Sequence, residues 1–199
     1  GLDPENSKVI VCHLGNGSSI SAVLNGKCID TSMGLTPLEG LPMGTRSGDI
    51  DPAIVQFVAN KEGKTVDEML NILNKQSGML AVSGKSSDFR DLNDGMDAGD
   101  ERCTLALELF AYKVAKYIGS YITALHGVDV IAFTAGVGEN DDIVRKLVME
   151  YFDYMGIKID LEENKKRGDD RYISTPDSSV KVVVIPTNEE LRIARETLE

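Results

Sequence analysis

A β-branched run from Lys8 to Leu14 predicts a strand, followed by Gly15-Asn16-Gly17-Ser18-Ser19 and a second strand over Ile20 to Leu24. Asn25-Gly26 then gives a strong type I′ hairpin signal, and Lys27 to Thr31 returns as a third strand. Together these segments predict a three-stranded antiparallel meander with a glycine turn at one end. Residues 32–49 show no periodicity and carry Gly, Pro and Thr; an ordered loop of this length inside a compact domain is usually functional. Asp51-Pro52 opens a helix that ends near Gly63, with the Asp as cap and the Pro in the first turn. Thr65-Val-Asp-Glu68 is a capping box for the next helix, which stops before Gly78. A long helix is expected from about Asp100 to His126, with Leu105, Leu109, Tyr112 and Lys116 marking a 3.6-residue period.

The last third alternates more cleanly. Val128 to Phe133 reads as a short buried strand, Gly136 to Asn140 as a turn, and Asp141 to Met155 as a helix ended by Gly156. Val180 to Ile185 reads as a second buried strand, followed by Pro186-Thr-Asn-Glu-Glu190 and a terminal helix. Residues 160–179 are polar with charges of both signs, which predicts a solvated excursion. Strand, glycine turn and helix in succession, with buried strands, indicate an α/β fold.

The length of 199 residues fits one domain or one large lobe, enough to bury roughly 70% of the unfolded surface. No apolar run approaches 18 residues, so neither a membrane span nor a secretory leader is expected. Cys12, Cys28 and Cys103 are widely spaced in apolar or strand-like settings, as expected of buried, inert thiols in a reducing cytoplasm. The net charge of −11 and the lack of a basic stripe argue against nucleic-acid and anionic-membrane partners. An anionic small ligand would need backbone amides, an Arg or a metal to offset that field.

Several near-motifs fail on spacing. Gly78 to Ser86 ends in Gly-Lys-Ser but is one residue too long for a Walker A loop. Neither Gly15-Asn-Gly17 nor Gly136-Val-Gly138 has the third glycine of a dinucleotide fingerprint, and Asp91 to Gly95 puts glycine one position early for a calcium loop. Arg167-Gly-Asp169 lies in a charge run that solvation explains. His13 and His126 with dispersed cysteines cannot make a zinc site, and His126 fits a helix C-terminus as a dipole partner or packing residue.

Three elements survive. His13-Leu14-Gly15-Asn16-Gly17-Ser18-Ser19 places two glycines between strands, where backbone N–H groups can face a phosphate without Cβ obstruction, with Asn16, Ser18 and Ser19 as further donors. Alone, the motif reads first as an ordinary hairpin turn. Gly44-Thr45-Arg46-Ser47-Gly48-Asp49 sets an Arg among small residues in the long loop, suited to a forked hold on phosphate or carboxylate, or to a surface salt bridge. The third is the pair of strand-to-helix turns. The acidic residues at 139, 141 and 142 suit the first of these to a sugar or base more than to phosphate. In the second, Glu190 stands at capping-box spacing from Thr187, leaving Glu189 free as a hard-cation ligand.

These blocks resemble the acetate kinase family. The resemblance rests on His13 to Ser19, Asp30-Thr-Ser-Met-Gly-Leu-Thr-Pro-Leu-Glu-Gly40, Met43-Gly-Thr-Arg-Ser-Gly-Asp-Ile-Asp-Pro52, Phe133 to Asn140 and Ile185 to Leu191, in family order across nearly the whole chain. It implies a ribonuclease H-like, actin-like ATPase lobe with a mixed sheet and flanking helices, and the reversible reaction of ATP and acetate to ADP and acetyl phosphate with Mg²⁺. By the same resemblance Arg46 stabilises the transition state, and His13, Leu14, Gly15, Asn16 and Gly17 contact the ATP phosphates. Asp88, Phe89 and Arg90, with Gly136, Val137, Gly138, Glu139 and Asn140, would bind the adenosine; Pro37 would border the acetate methyl group, and Glu189 would accompany magnesium.

Members of that family are roughly twice as long, so residues 1–199 are expected to be the C-terminal nucleotide-binding lobe of a homodimeric cytoplasmic enzyme. The N-terminal lobe, absent here, would carry a further arginine, aspartate, histidine and asparagine of the active site. One lobe alone is expected to bind nucleotide weakly and to turn over little. The nearest enzyme alternative is a propionate or butyrate kinase. From another class, the alternative is a non-catalytic actin-like nucleotide-binding or assembly module, which has no need of the Arg46 loop.

Overall fold

The computed structural model describes residues 3–188, 194, 195 and 197. Its first three strands, β1 (Lys8–Leu14), β2 (Ser18–Leu24) and β3 (Lys27–Thr31), form the expected antiparallel meander. Asn25 and Gly26 both take positive φ, 52° and 74°, as a type I′ turn requires. β4 (Val130–Thr134) and β6 (Lys181–Val184) extend the sheet parallel to β1, and β5 (Arg171–Tyr172) closes it antiparallel to β6. The order is β3-β2-β1-β4-β6-β5, a mixed six-stranded sheet.

β1 buries Ile10, Cys12 and Leu14 on one face, while β4 is buried along its whole length. Helix α5 (Glu101–Ala124) lies on the β1–β2 face, and Leu107, Phe110, Val114 and Ile118 join Ile10, Leu14, Ile20 and Phe133 in the main core. Asp100 caps α5, its carboxylate accepting from the Arg102 and Cys103 amides at 2.9 and 3.1 Å. The period assigned to this helix is correct, but the stripe is the wrong one. Leu105 and Tyr112 are 53% and 44% exposed, and Lys116 lies over the Tyr112 ring. The core-facing stripe is Cys103, Leu107, Phe110, Val114, Ile118 and Tyr121.

Between the meander and α5 the chain forms α1 (Ala53–Glu62), α2 (Val66–Lys75), α3 (Gly78–Ser83) and α4 (Phe89–Asp97). Asp51 accepts from the Ala53 amide, and the Thr65–Glu68 capping box forms in full, as their spacing predicts. The sequence signals did not single out α3 and α4. Beyond β4, residues 135–140 are a short helix, α6 (Ala135–Asn140), where a turn was expected. The following helix breaks early: α7 (Asp142–Glu150) gives way to a single 3₁₀ turn over Asp153–Met155 before Gly156.

Residues 160–179 are not merely solvated. They contain α8 (Leu161–Lys165) and β5, and they bury Asn164 and Ile173. Cys28 is exposed on β3, so only Cys12 and Cys103 are buried thiols. His126 is exposed in the left-handed region just past α5, and its carbonyl accepts from Lys8 Nζ; it packs against no core. The terminal helix and Glu190, apart from helical backbone at 194, 195 and 197, lie outside the described residues.

Candidate functional site

The carboxyl ends of β1 and β4 open on a cleft of about 1200 Å³. Its first wall is the β1–β2 hairpin, where His13, Gly15, Asn16 and Gly17 line the cavity. A Cβ at Gly15 would lie 3.5 Å from the Ala135 Cβ and 3.8 Å from the Gly136 amide nitrogen, so the hairpin and the β4–α6 turn are neighbours there. A Cβ at Gly17 would lie 3.8 Å from Arg46 Nη1. The two elements that the sequence left separate, glycine hairpin and Arg loop, therefore meet. Ser18 is spent internally: it is buried, and its hydroxyl accepts from the Gly15 amide and donates to the Gly15 carbonyl.

The second wall is the segment entering α4. Gly44, in the Arg46 loop, abuts Ser87, and Asp88, Phe89 and Arg90 follow along the cavity. Asp88 caps α4 through the Arg90 amide and also pairs with the Arg90 guanidinium at 2.6 Å. Those bonds hold its carboxyl down to about 2. Nine residues of α4 then run along the cleft for roughly 13 Å, ending with Asp94 and Asp97 on the lining.

The third wall is α6 and the start of α7. Gly136, Val137 and Asn140 line the cavity, and Ala135 takes φ of 66°, a left-handed conformation that costs an L-residue about 1–2 kcal/mol. Its amide donates to the Thr187 hydroxyl at 3.2 Å. Asp141 is buried and caps α7 through the Val144 amide, while Asn93 Nδ2 donates to its other oxygen at 2.8 Å. Burial pushes its carboxyl above the usual range. Carboxylates 88, 94, 97, 141 and 142 thus line the α4–α7 side, whereas the glycine hairpin carries none. Arg90, paired with Asp88, and Arg167 also line the cavity, so the hairpin with Arg46 at its border is the end without a carboxylate rather than the one cationic end.

Of the residues singled out from sequence, His13, Gly15, Asn16, Gly17, Asp88, Phe89, Arg90, Gly136, Val137 and Asn140 share this one cavity. Arg46 borders it at Gly17 and is half-buried. Leu14 instead points into the core with no exposure. Gly138 packs its backbone on Cys12 and Phe133. Glu139 spends its carboxylate on the Thr187 amide and hydroxyl, tying α6 to the chain after β6. Pro37 sits on an exposed stretch of loop away from the lining, and Glu189 lies outside the described residues.

Asn93, Asp94, Asp97 and Arg167 join the lining though the sequence assigned none of them to the site; Asn93 and Asp94 fall within Asp91 to Gly95, rejected as a calcium loop. Arg167 belongs to the tripeptide set aside as a solvated charge run. Only the return of residues 160–172 to the sheet edge brings it to the cleft. Among the described residues, no group of three or more His, Cys, Asp or Glu side chains is placed to hold a metal ion, so these residues do not by themselves fit a magnesium cage.

Comparison with known proteins gives the same outline. The family model described as the acetokinase family matches residues 1–195. The acetate kinase of Lachnoclostridium phytofermentans is 61% identical over 199 residues, all of this chain and 50% of that protein. The crystal structure of Porphyromonas gingivalis acetate kinase superimposes with a TM-score of 0.95 at 47% identity, covering 100% of this chain and 50% of its own. A propionate kinase from Francisella tularensis gives 0.90 at 45% identity, over 96% of this chain and 49% of its own. The chain spans about half the length of the curated relatives it matches. With a family model covering nearly every residue and a mixed sheet and flanking helices shared with the solved acetate kinases, the chain belongs to the acetokinase family.

Proposed function

We propose that this chain is the C-terminal, nucleotide-binding half of a cytoplasmic, homodimeric enzyme that moves the γ-phosphoryl group of ATP to acetate, reversibly. The observation that carries the proposal is the Arg46 guanidinium beside Gly17, at the carboxylate-free end of the cleft. Phosphoryl transfer needs placement and charge stabilisation more than covalent help from the protein. An acetate oxygen bonds to the γ-phosphorus as the bond to the ADP oxygen breaks, and negative charge spreads over the phosphoryl oxygens between them. Arg46 meets that charge with a forked donor that stays protonated. The glycines of the hairpin admit the phosphate chain close to backbone, and the adenosine lies along Gly136 to Asn140 and Asp88 to Arg90.

By the family resemblance Glu189 would accompany a magnesium ion brought with the nucleotide, and that ion would supply charge neutralisation at the phosphates. The acyl pocket, with Pro37 at its border, is completed by the other half. The similarity to both an acetate and a propionate kinase makes acyl-chain length the natural variable of the test.

The test uses the full-length protein, this chain joined to the other half that its relatives possess, with acyl phosphate trapped as the hydroxamate. Acetate should outpace propionate and butyrate. Arg46→Ala should lower acetyl phosphate formation by far more than tenfold. A loss under about tenfold, about 1.4 kcal/mol of barrier, removes Arg46 from the catalytic role. Titration of this chain alone with ADP, with and without Mg²⁺, then shows whether the site is assembled within one lobe. Saturable 1:1 binding means that it is, and no binding by folded protein places the site between two lobes.

A further inference from the structure

Arg46 sits in a stretch without helix or strand, yet the residues around it are bonded as densely as a strand. The Ser47 amide donates to the Leu73 carbonyl at 2.8 Å, the Ser77 amide to Thr45 O at 2.9 Å, and the Met79 and Leu80 amides to Met43 O and Gly44 O, each at 2.9 Å. Thr45 adds a hydroxyl bond to Asn74 O at 3.0 Å. Every one of these partners belongs to the end of α2 or the start of α3. The helical excursion between the meander and α4 therefore grips the Arg46 loop along its backbone.

The grip closes at Gly78. Its φ is +59°, and a Cβ there would stand 2.1 Å from Met43 O, 2.6 Å from Arg46 O and 3.0 Å from Arg46 N. These are backbone atoms, so no side-chain adjustment can make room. Arg46 itself would have to move.

The side chain is held from the other direction by Met43, which is fully buried. Its Sδ accepts from Arg46 Nη1 at 3.2 Å and from the Ser18 amide at 3.4 Å, so one sulfur ties the guanidinium to the glycine hairpin. A thioether is a weak acceptor, and its value here is directional. It leaves the remaining guanidinium donors for the cleft.

We propose that Gly78 and Met43 are positioning residues that aim Arg46: Gly78 by allowing the α2–α3 junction to lie against the Arg46 backbone, Met43 by orienting the guanidinium toward Gly17. The proposal rests on the catalytic role given to Arg46 above. A displacement of about 1 Å in a catalytic group can cost on the order of 100-fold. Gly78→Ala in the full-length enzyme should therefore lower kcat about 100-fold, with KM for ADP changed less than about threefold. Met43→Leu conserves volume in a buried site and should fold; its kcat should fall about tenfold, again at nearly constant KM.

A double-mutant cycle separates aiming from general damage. In an Arg46→Ala background neither substitution should cost more than about threefold, because there is no guanidinium left to misplace. Losses that persist undiminished in that background overturn the proposal, and so does an unchanged kcat in Met43→Leu. Should Gly78→Ala fail to fold, Met43→Leu and its cycle decide alone. Hydrogen exchange gives a readout independent of turnover: in Gly78→Ala, exchange should quicken at Ser47 and Ser77 and not in the β1–β2 meander, and a uniform or absent change refutes the clamp. Failure of the functional assignment is distinguishable, since the unsubstituted enzyme would then form no acyl phosphate while the exchange result still stands or falls on its own.

Discussion

Arg145 is a guanidinium with 1% exposure, and none of the ion pairs among the described residues includes it. Its Nε donates to Asn164 Oδ1 at 2.7 Å, Nη1 to Gly138 O at 2.8 Å, and Nη2 to Asn164 O. One side chain of α7 thus binds α6, a wall of the cleft, to α8, the base of the excursion that delivers Arg167. Burial first, then the nearby Arg171 charge, lowers Arg145 to about 10. Burial thus disfavours the charged form, and what holds it is three hydrogen bonds from a charged donor, about 2 kcal/mol each. Arg145→Met keeps the length, removes all three donors and strands their acceptors. It should destabilise the protein by about 3 kcal/mol, near 9 °C in Tm for a chain of this size. Arg145→Lys, which retains a charge but not the fork, should fall between. Equilibrium urea unfolding at pH 7, with the slope unchanged, measures the difference. A loss under about 1 kcal/mol in Arg145→Met would mean that the charge and its bonds cancel, and that the clamp contributes nothing to the cleft wall.

Gly15→Ala should leave stability within about 0.5 kcal/mol, because the new Cβ meets only ordinary contacts at 3.5 Å or beyond and no positive φ is involved; if the hairpin holds the phosphates as proposed, calorimetry should nonetheless show weaker ADP binding, and unchanged affinity would move the phosphates elsewhere. Tyr117→Phe removes a hydroxyl that donates to Asp49 Oδ2 at 2.5 Å, while Asp49 Oδ1 accepts from the Gly40 amide at 2.8 Å; thermal unfolding should report a loss of about 1 kcal/mol, and no loss would show that the Asp49 end of the Arg46 loop needs no tether to α5. Asp141→Asn tests a pH dependence of fixed sign. Because burial raises the folded carboxyl above its unfolded value of 3.8, the folded state binds the extra proton as pH falls toward that value. Wild type should gain stability relative to Asp141→Asn between neutral pH and pH 4, and a flat or opposite difference would show that Asp141 is not penalised by its burial.

Legibility along this chain follows how local each cause is. The Asn25-Gly26 turn, the Thr65–Glu68 box and the Asp51 cap are decided within four residues, and each stands where its spacing put it. α4 had local signals too, since Asp88 caps it through the Arg90 amide and Phe89, Leu92 and Met96 recur at helical spacing, but its nine residues also carry Asn, Gly and three Asp, all poor helix formers. On α5, period alone cannot choose a face: Leu105 and Tyr112 repeat as regularly as Leu107 and Phe110, and only packing against β1 and β2 decides between them. Residues 160–179 failed for the same reason. Arg171 and Tyr172 pair with Val184 and Val183, and Asn164 meets Arg145, partners that no window around either segment contains. The candidate site was read in pieces, hairpin, Arg loop and strand-to-helix turns, because each has its own glycine signature. What joins them is carried by atoms with no signature at all: the Met43 sulfur between Arg46 and Ser18, and the bare α-carbon of Gly78. A glycine whose function is to leave space, and a methionine whose function is direction, look in sequence like a helix boundary and a core residue.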